Sequence, residues 1–582
     1  MPTRVNNPQP VSPKSIAEVP AEMRVEYYRA GASYLINGQI REWDGPCQEV
    51  LSPVCIGDGA GRVAHPPASE QVLGKATTPP KVDATHAPVA APEEHDTKAR
   101  ECRYALGHYP LMTSEQSQEA LDAACRAYDH GCGAWPTMSV ADRIHHVAAF
   151  VPRMEAVRDH VVRLLMWEIG KTLADARKEF DRTVEYVRDT IEALKDLDRT
   201  SSRFAVEQGF VAQIRRSPLG VVLCMGPFNY PLNETFTTLI PALIMGNTVI
   251  FKPPKHGVLL HGPLLQAFAE SFPPGVVNTV YGDGRVVVGP LMESGRIDVL
   301  AFIGSAKVAA TLKHQHPQPN RLRCVLGLEA KNPAVILPDA DLDLAVRECV
   351  LGALSYNGQR CTAVKIIFAH RSVADAFAAK LADAVGHLVV GMPWEEGVQI
   401  TPLPEEGKPA WLKSLADEAV AAGARVINRG GGQIDRTLYY PALVYPAALG
   451  TELCRVEQFG PLLPIVPYDD EREVIDWVVQ SPVGQQAALF GTRAESLSRL
   501  IDPLVNQVCR VNINSQCQRG PDAFPFTGRK DSAEGTLSVS DALRVFSIRS
   551  LVAAKTTEDN QRIVSDIVRG RSSKFLSTDF IF

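Results

Sequence analysis

The sequence has no charge excess, no long apolar run and no cysteine spacing typical of a metal or redox motif. Its 582 residues carry 60 basic and 66 acidic side chains, and a net charge of −6 gives no reason to expect a nucleic-acid or membrane-surface partner. The most apolar long segment, residues 237–251, contains Pro241, Gly246 and Asn247 and is shorter than the ~20 residues of a membrane-spanning helix. The composition, 45% hydrophobic and 22% charged, is that of a globular protein and excludes collagen and coiled coil.

Export and metal-binding signals are missing as well. The first residues are rich in proline and asparagine and lack the apolar core of a secretory signal. The 12 cysteines form no CxxC pair, which predicts reduced, mostly buried thiols and a cytoplasmic location. The neighbouring histidines His145/His146 and His314/His316 have no carboxylates or second ligand pair beside them, so we expect no metal site.

The first hundred residues differ from the rest of the chain. Residues 59–101 are rich in proline and alanine and contain no aromatic residue, which predicts a linker or loop, disordered because it can bury little apolar surface. Residues 1–58 form an N-terminal extension in which Asn37-Gly38 supplies the turn of a hairpin over 32–43. The first thirty residues are predicted to be a loose tail.

Helices and buried strands alternate from residue 219 onwards, after a helical region over 114–197. The predicted strands are 221–225, 248–251, 276–281, 299–303 and 334–337, separated by helices over 234–244, 259–271 and 287–294. This alternation predicts an α/β fold with a doubly wound parallel sheet that binds ligands at the carboxyl ends of its strands. A second α/β series follows over 341–500.

Two polar residues stand out as candidates for chemistry. Cys361 follows Arg360 in Tyr356-Asn-Gly-Gln-Arg-Cys, and a cation favours the thiolate, although an inert buried thiol is the commoner role. Asn229 follows a predicted strand and could donate its amide to an oxyanion, or could cap its own turn.

Several further motifs lie where a doubly wound sheet binds nucleotides. Lys252 and Lys255 end one predicted strand, and Gly282-Asp-Gly-Arg and Gly304-Ser305 each link a strand to a helix. Backbone donors at such helix starts can face a pyrophosphate.

The order of these motifs resembles the aldehyde dehydrogenase superfamily. The shared elements are Phe-Asn-Tyr-Pro at 228–231, Lys-Pro-Pro at 252–254, Gly-Ser at 304–305, Gly-Gln-Arg-Cys at 358–361 and Glu-Gln-Phe-Gly-Pro at 457–461. The resemblance covers about residues 102–555 and the hairpin near Tyr34. The segments 358–365 and 518–526 further resemble non-phosphorylating, NADP-dependent glyceraldehyde-3-phosphate dehydrogenases.

The resemblance implies a Rossmann-type cofactor domain, an α/β catalytic domain and a small β oligomerisation arm. The implied ranges are 102–327 for the cofactor domain, with 199–216 contributing to the arm, 328–530 for the catalytic domain and 531–555 for the rest of the arm. Residues 556–582 form a C-terminal tail without an assignment. Members of the superfamily pair this arm between subunits, so a homodimer or homotetramer is expected.

The same resemblance implies roles for individual residues. Cys361 attacks the aldehyde and gives a thiohemiacetal, and Asn229 stabilises its oxyanion. The cofactor is expected to be NADP, with NAD as the alternative, and to contact the remaining matched positions: Lys252 at the adenosine ribose, Glu457 at the nicotinamide ribose, and Gly284, Gly304 and Ser305 near the pyrophosphate. Lys255 stands where many NAD-using relatives carry a glutamate, and its charge favours the 2′-phosphate of NADP.

The substrate is expected to be a small phosphorylated aldehyde, glyceraldehyde 3-phosphate. The matched positions that bind its hydroxyl and phosphate are Arg182, Tyr230, Arg360 and Arg519. Three guanidinium groups that converge on one pocket repel one another, which costs free energy unless an anion binds between them. Taken singly, each arginine could equally be exposed or salt-bridged.

One departure from the superfamily pattern concerns the general base. The superfamily carries a glutamate thirty-four residues before the cysteine, and position 327 is a glycine here. Glu329 lies two residues later. Three alternatives remain open: Glu329 takes over as base, another group activates water slowly, or the thioester passes to coenzyme A. Other functions also remain open, namely oxidation of another small aldehyde or a catalytically weakened cofactor-binding relative.

Overall fold

The computed structural model describes residues 2–28, 32–57 and 102–579. The predicted linker over 59–101 lies outside the described residues. The strands are β1 Thr3–Arg4, β2 Ser33–Ile36, β3 Gln39–Glu42, β4 Cys47–Cys55, β5 Arg103–Pro110, β6 Phe204–Glu207, β7 Phe210–Pro218, β8 Val221–Met225, β9 Thr248–Lys252, β10 Val277–Thr279, β11 Val299–Ile303, β12 Arg323–Gly327, β13 Asn332–Ile336, β14 Val364–His370, β15 Val389–Val390, β16 Arg425–Val426, β17 Ile434–Asp435, β18 Leu438–Tyr439, β19 Ala442–Tyr445, β20 Leu462–Tyr468, β21 Val483–Gly484, β22 Gln486–Phe490, β23 Arg510–Ile513, β24 Arg529–Lys530, β25 Ala533–Glu534 and β26 Ser547–Lys555.

The helices surround the sheets that these strands form. They are α1 Ser114–Tyr128, α2 Val140–Ala156, α3 Arg158–Ile169, α4 Leu173–Ser201, α5 Asn233–Ile244, α6 Leu265–Ser271, α7 Gly284–Val287, α8 Gly289–Glu293, α9 Ala306–Gln315, α10 Leu342–Leu354, α11 Arg371–Gly386, α12 Lys408–Ala421, α13 Glu452–Arg455, α14 Glu471–Gln480, α15 Ala494–Leu504, α16 Val539–Val545 and α17 Glu558–Arg569. No helix within the described ranges is long and apolar enough to cross a membrane.

The first large sheet has the order β10-β9-β8-β11-β12-β25 and is parallel except for the edge strand β25. Its central strands β8, β9 and β11 are almost fully buried runs of Val, Ile, Leu and Phe, as expected of strands covered by helices on both faces. The order reverses between β8 and β11. A crevice therefore opens at the carboxyl ends of these two strands, where a doubly wound sheet binds its ligand.

The second large sheet has the order β16-β19-β20-β14-β13-β22-β23, with β16 antiparallel to the rest. The α/β fold class with parallel sheets is thus confirmed. The predicted strand 334–337 belongs to this second sheet as β13 rather than to the first, whose fifth strand is β12 instead. The sequence did not indicate β12, because its apolar run is only three residues long between Arg323 and Gly327.

A three-stranded antiparallel sheet, β26-β7-β6, joins the two segments predicted for the arm, and we call this sheet the arm. It leaves apolar side chains exposed, among them Val206, Phe210 and Leu551. The hairpin at 32–43 is also present as β2 and β3, with Asn37 and Gly38 at positive φ in its turn.

Two expectations about the chain ends and the thiols are wrong. The N-terminal residues are not a loose tail, because β1 pairs with β15 and Val5 is fully buried. Cys55 and Cys102 are not reduced but joined in a disulfide that links β4 to the start of β5. A disulfide between cysteines 47 positions apart cannot be inferred from spacing.

Candidate active site

Cys361 lies in the loop between α10 and β14. A 3-10 turn, Ser355–Gly358, precedes it and holds Asn357 and Gly358 at positive φ. A side chain at Gly358 would place its Cβ 2.6 Å from the carbonyl oxygen of Ala353, so this turn requires glycine. The carbonyl oxygen of Cys361 accepts hydrogen bonds from Asn332 Nδ2 at 2.8 Å and Lys365 Nζ at 2.7 Å. Two side chains therefore hold the backbone of Cys361, whose own side chain is half-buried.

Asn229 faces this loop from the carboxyl end of β8. Its Nδ2 donates to the carbonyl oxygen of Gln359 over 2.9 Å, two residues before Cys361. An amide nitrogen carries two hydrogens, so a second donor is left for an oxyanion. The structure thus brings Asn229 to the loop that carries Cys361.

A buried ion pair, which the sequence did not reveal, supports the Asn229 loop. Lys171 Nζ donates to the carbonyl oxygen of Asn229 at 2.9 Å and pairs with the carboxylate of Glu179. Glu179 in turn accepts the backbone N–H groups of Leu232 and Asn233, both at 3.1 Å. Both charged side chains have zero exposure, and nothing in their sequence surroundings distinguishes them from surface residues of α4.

The surroundings of Cys361 favour the neutral thiol in the cofactor-free protein. Burial raises the pKa of Cys361 to about 11, and the carboxylates of Glu234 and Glu457 contribute in the same direction. Lys365 and Arg519 act against them. The cations that favour the thiolate are therefore Lys365 and Arg519 rather than the predicted Arg360. The guanidinium of Arg360 donates to the carbonyl oxygens of Leu351 and Gly352 instead.

Glu329 lies at the start of α9. Its Oε2 accepts the backbone N–H of Ala306 at 2.7 Å, so the carboxylate caps this helix beside Ser305, whose Oγ accepts from Val308 N at 3.4 Å. The carbonyl oxygen of Glu329 accepts a hydrogen bond from Ser532.

Gly327 is the last residue of β12 and pairs with Ile303 of β11, and its carbonyl oxygen accepts from Gly304 N at 2.9 Å. A Cβ at Gly327 would meet Ile303 at 3.5 Å, an ordinary van der Waals contact.

Glu457 connects the segment after β12 to strand β14. Its Oε1 accepts from Ala330 N at 3.1 Å and pairs with Lys365 Nζ at 3.0 Å. Burial raises its pKa, while Lys365 opposes the shift.

The positions matched to cofactor binding lie at the carboxyl edge of the first sheet. Lys252 is the last residue of β9, and its Nζ makes one long contact of 3.4 Å to the carbonyl oxygen of Pro253. Burial lowers the pKa of Lys252 to about 8. Lys255 and Gly284 are exposed after β9 and β10, whereas Gly304 and Ser305 follow β11. A half-buried lysine whose ammonium has one weak acceptor fits a ribose or phosphate group.

Arg182 and Arg519 meet at a shared carboxylate. Arg182 forms two hydrogen bonds to Asp522, at 2.9 and 2.6 Å, and Arg519 Nε contacts the same carboxylate at 3.3 Å. Arg519 also forms an ion pair with Glu234 and stacks 4.6 Å from the ring centre of Phe526. The expectation of three guanidiniums that need a bound anion therefore requires correction, because Glu234 and Asp522 already supply two negative charges.

Two nitrogen atoms of this cluster keep their donors unused. Arg519 Nη2 and Arg360 Nε are buried and have no hydrogen-bond acceptor among the described residues. Tyr230 lies nearby with its ring 3.6 Å from Lys171 Nζ.

Comparisons with known proteins place this geometry in context. The model of the "Aldehyde dehydrogenase family" matches residues 91–551. The NADP-dependent glyceraldehyde-3-phosphate dehydrogenase of Streptococcus equinus is 34% identical over 462 residues, which are 78% of this chain and 92% of that protein. The lactaldehyde dehydrogenase of Methanocaldococcus jannaschii is 26% identical over 77% of this chain and 94% of its own length. The crystal structure of the NADP-dependent glyceraldehyde-3-phosphate dehydrogenase from Bacillus halodurans complexed with NADP superposes with a TM-score of 0.76, at 29% identity, over 90% of this chain and all of that one.

Proposed function

Because the chain belongs to the aldehyde dehydrogenase family, we propose that it oxidises glyceraldehyde 3-phosphate to 3-phosphoglycerate with NADP and without inorganic phosphate. The observation that carries the proposal is the approach of Asn229 to the Cys361 loop, with one amide hydrogen on Gln359 and the other available. Relatives and a solved structure that carry this activity or NADP in their names support the choice of substrate and cofactor.

In the proposed reaction, Cys361 acts as thiolate and bonds to the aldehyde carbon, and the carbonyl oxygen becomes an oxyanion. The amide of Asn229 and the backbone N–H of Cys361 donate hydrogen bonds to that oxygen. NADP, when bound, supplies the hydride acceptor. Hydrolysis of the resulting thioester at Cys361 releases the acid and restores the thiol.

Residues of this chain fit the cofactor at the carboxyl edge of the first sheet. Lys252 and Ser305 are proposed to hold the adenosine ribose and the pyrophosphate, and Glu457 the nicotinamide ribose. The exposed Lys255 is proposed to contact the 2′-phosphate of NADP by charge complementarity.

Water activation in this scheme depends on Glu329. The carboxylate of Glu329 uses Oε2 to accept the N–H of Ala306, and it has to come within hydrogen-bond reach of the attacking water before it can accept a proton. We propose that Glu329 takes this role when the cofactor occupies the start of α9, with coenzyme A as the alternative acyl acceptor.

A second candidate substrate is a small unphosphorylated hydroxyaldehyde. The ion pairs of Arg519 with Glu234 and of Arg182 with Asp522 balance the positive charge that would attract a phosphate. The relative from Methanocaldococcus jannaschii, named a lactaldehyde dehydrogenase, is consistent with such a substrate.

The test of the proposed function is NADPH formation, followed by absorbance, with glyceraldehyde 3-phosphate, glyceraldehyde and lactaldehyde, each with and without coenzyme A. Cys361→Ser is expected to abolish the signal, and Asn229→Ala to lower kcat about a hundredfold. The proposal is contradicted if Cys361→Ser retains activity. It is also contradicted if none of the three aldehydes gives NADPH.

Two further points belong to the same proposal. We infer that copies associate through the arm into a homodimer or homotetramer, since Leu551 and Val206 leave its apolar face exposed. Light scattering of Leu551→Asp tests this. The cytoplasmic location stays a prediction, and the disulfide between Cys55 and Cys102 counts against the reduced thiols that were predicted with it.

A further inference from the structure

A cavity of about 460 Å³ lies at the base of the arm, between the end of α4, strand β7 and residues 573–575 of the C-terminal tail. We call it the tail cavity. None of the residues assigned above to catalysis, cofactor or aldehyde lines it. Its volume is that of a pocket for a small molecule.

Positive charge dominates the lining of the tail cavity. Four cationic residues, Arg143, Arg215, Arg216 and Lys574, line it together with a single acid, Asp198. Arg143 and Arg215 are only 4% and 8% exposed. Buried charges are normally matched one to one, so this excess is a reason to look for an anion.

The hydrogen bonds of Arg215 leave one donor unused. Its Nη2 pairs with Asp198 Oδ1 at 2.9 Å, and its Nη1 makes two long contacts of 3.4 Å to the carbonyl oxygens of Lys574 and Phe575. Its Nε is buried and has no acceptor within the described part of the chain.

The other two arginines are bonded to neutral oxygens. Arg143 donates to the carbonyl oxygens of Ile244, at 2.9 Å, and Met138, at 2.5 Å. Burial lowers its pKa to about 10, the charge of Asp198 opposes this shift, and the charge of Arg215 adds to it. Arg216 donates to Ser547 Oγ at 2.7 Å, and this neutral acceptor does not balance the charge of the guanidinium.

We propose that the tail cavity binds a small phosphate-bearing ligand, a phosphate monoester or free phosphate, held by Arg143, Arg215 and Lys574. Guanidinium groups match the geometry of phosphate oxygens and pair with them through two parallel hydrogen bonds. The ligand supplies the negative charge that Asp198 alone does not provide and an acceptor for Arg215 Nε.

The tail closes one side of this site. The side chain of Gln213 exchanges two hydrogen bonds with the backbone of Ser577, at 2.6 and 3.1 Å, and Leu576 is buried. A ligand that contacts Lys574 therefore stabilises the tail, and backbone hydrogen exchange over 573–577 reports its binding.

The experiment titrates the full chain with glycerol 2-phosphate and, separately, with inorganic phosphate by calorimetry, and measures hydrogen exchange over 573–577 at saturation. Arg215→Gln, which keeps a donor for Asp198, and Lys574→Glu are each expected to weaken binding roughly tenfold. Lys555→Glu makes the same charge change on an exposed residue outside the tail cavity and is expected to leave affinity unchanged. The ligand that binds more tightly identifies the source of the phosphate.

Three outcomes overturn the proposal: undiminished affinity in both cavity variants, an equal loss in Lys555→Glu, or binding that leaves exchange over 573–577 unaltered. Absence of binding at millimolar ligand overturns it too. If Arg215→Gln fails to fold, the exposed Lys574→Glu decides the matter. None of these readouts depends on aldehyde oxidation, so failure here is distinct from failure of the proposed function.

Discussion

The carboxylate of Glu329 accepts a hydrogen bond from the backbone N–H of Ala306, 2.7 Å away, in the first turn of α9. A negative charge is favourable at a helix start, where backbone donors lack partners. The same helix start is the proposed position of the cofactor pyrophosphate. One carboxylate and one diphosphate thus compete for a single anion-binding position.

The first prediction concerns this competition. Glu329→Gln keeps an oxygen for Ala306 N but removes the charge, so we expect NADP to bind about fivefold more tightly, the equivalent of ~1 kcal/mol at a helix terminus. Fluorescence titration of NADP measures the dissociation constant. Glu558→Gln, an exposed acid in the first turn of α17, is the control. An unchanged dissociation constant would mean that moving the carboxylate of Glu329 away from α9 costs no free energy.

The second prediction concerns the glycine at the superfamily's base position. Gly327→Glu adds a carboxylate where a Cβ meets Ile303 at an acceptable 3.5 Å, so the variant is expected to fold. If hydrolysis of the thioester limits turnover, its steady-state rate after the first burst of NADPH rises at least about tenfold, since a positioned base contributes 10²–10⁴-fold. Gly327→Gln has the same size without the base. Equal rates in the two variants would show that hydrolysis is not limited by a missing carboxylate.

How far the sequence predicted the site depends on the kind of contact involved. Asn229 and Cys361 each belong to a recognisable motif, and the alternation of strands and helices predicts that Asn229 follows a strand. The sequence predicts no particular strand beside Cys361, so the contact between the two loops could not be inferred from it. The partners of the arginines could not be predicted, because Glu234 lies 285 positions from Arg519 and carries no local signal. The same holds for Lys171 and Glu179, whose burial results from the packing of α4 against the Asn229 loop.

The third prediction concerns substrate charge. Glu234→Gln frees Arg519 from its ion pair and leaves the guanidinium for a phosphate, so kcat/KM for glyceraldehyde 3-phosphate is expected to rise roughly tenfold. Because Glu234 also raises the pKa of Cys361, activity on unphosphorylated glyceraldehyde is expected to rise less, and the ratio of the two kcat/KM values is the readout. An equal gain on both aldehydes would indicate that Glu234 acts on Cys361 rather than on the phosphate.

The fourth prediction concerns stability and is independent of catalysis. Arg519→Met leaves the buried carboxylate of Glu234 without its cation, and loss of one partner of a buried pair costs about 3–5 kcal/mol in the free energy of unfolding. The double variant Glu234→Leu/Arg519→Met removes both charges and is expected to recover most of that loss. Urea unfolding of the two variants measures the difference. Equal destabilisation would show that the apolar replacements do not fit.

The fifth prediction concerns the protonation of Cys361 before the cofactor binds. Because burial and the charges of Glu234 and Glu457 raise the pKa of the thiol to about 11, only a small fraction is thiolate near neutral pH. The rate of alkylation by iodoacetamide, read at Cys361 by mass spectrometry, is therefore expected to rise about tenfold per pH unit between about pH 7 and about pH 10. Replacing the exposed Cys47 and Cys132 by serine removes competing sites, and Cys361→Ser provides the blank. A plateau already reached near neutral pH would mean that Lys365 and Arg519 outweigh burial, and that the thiolate exists without the cofactor.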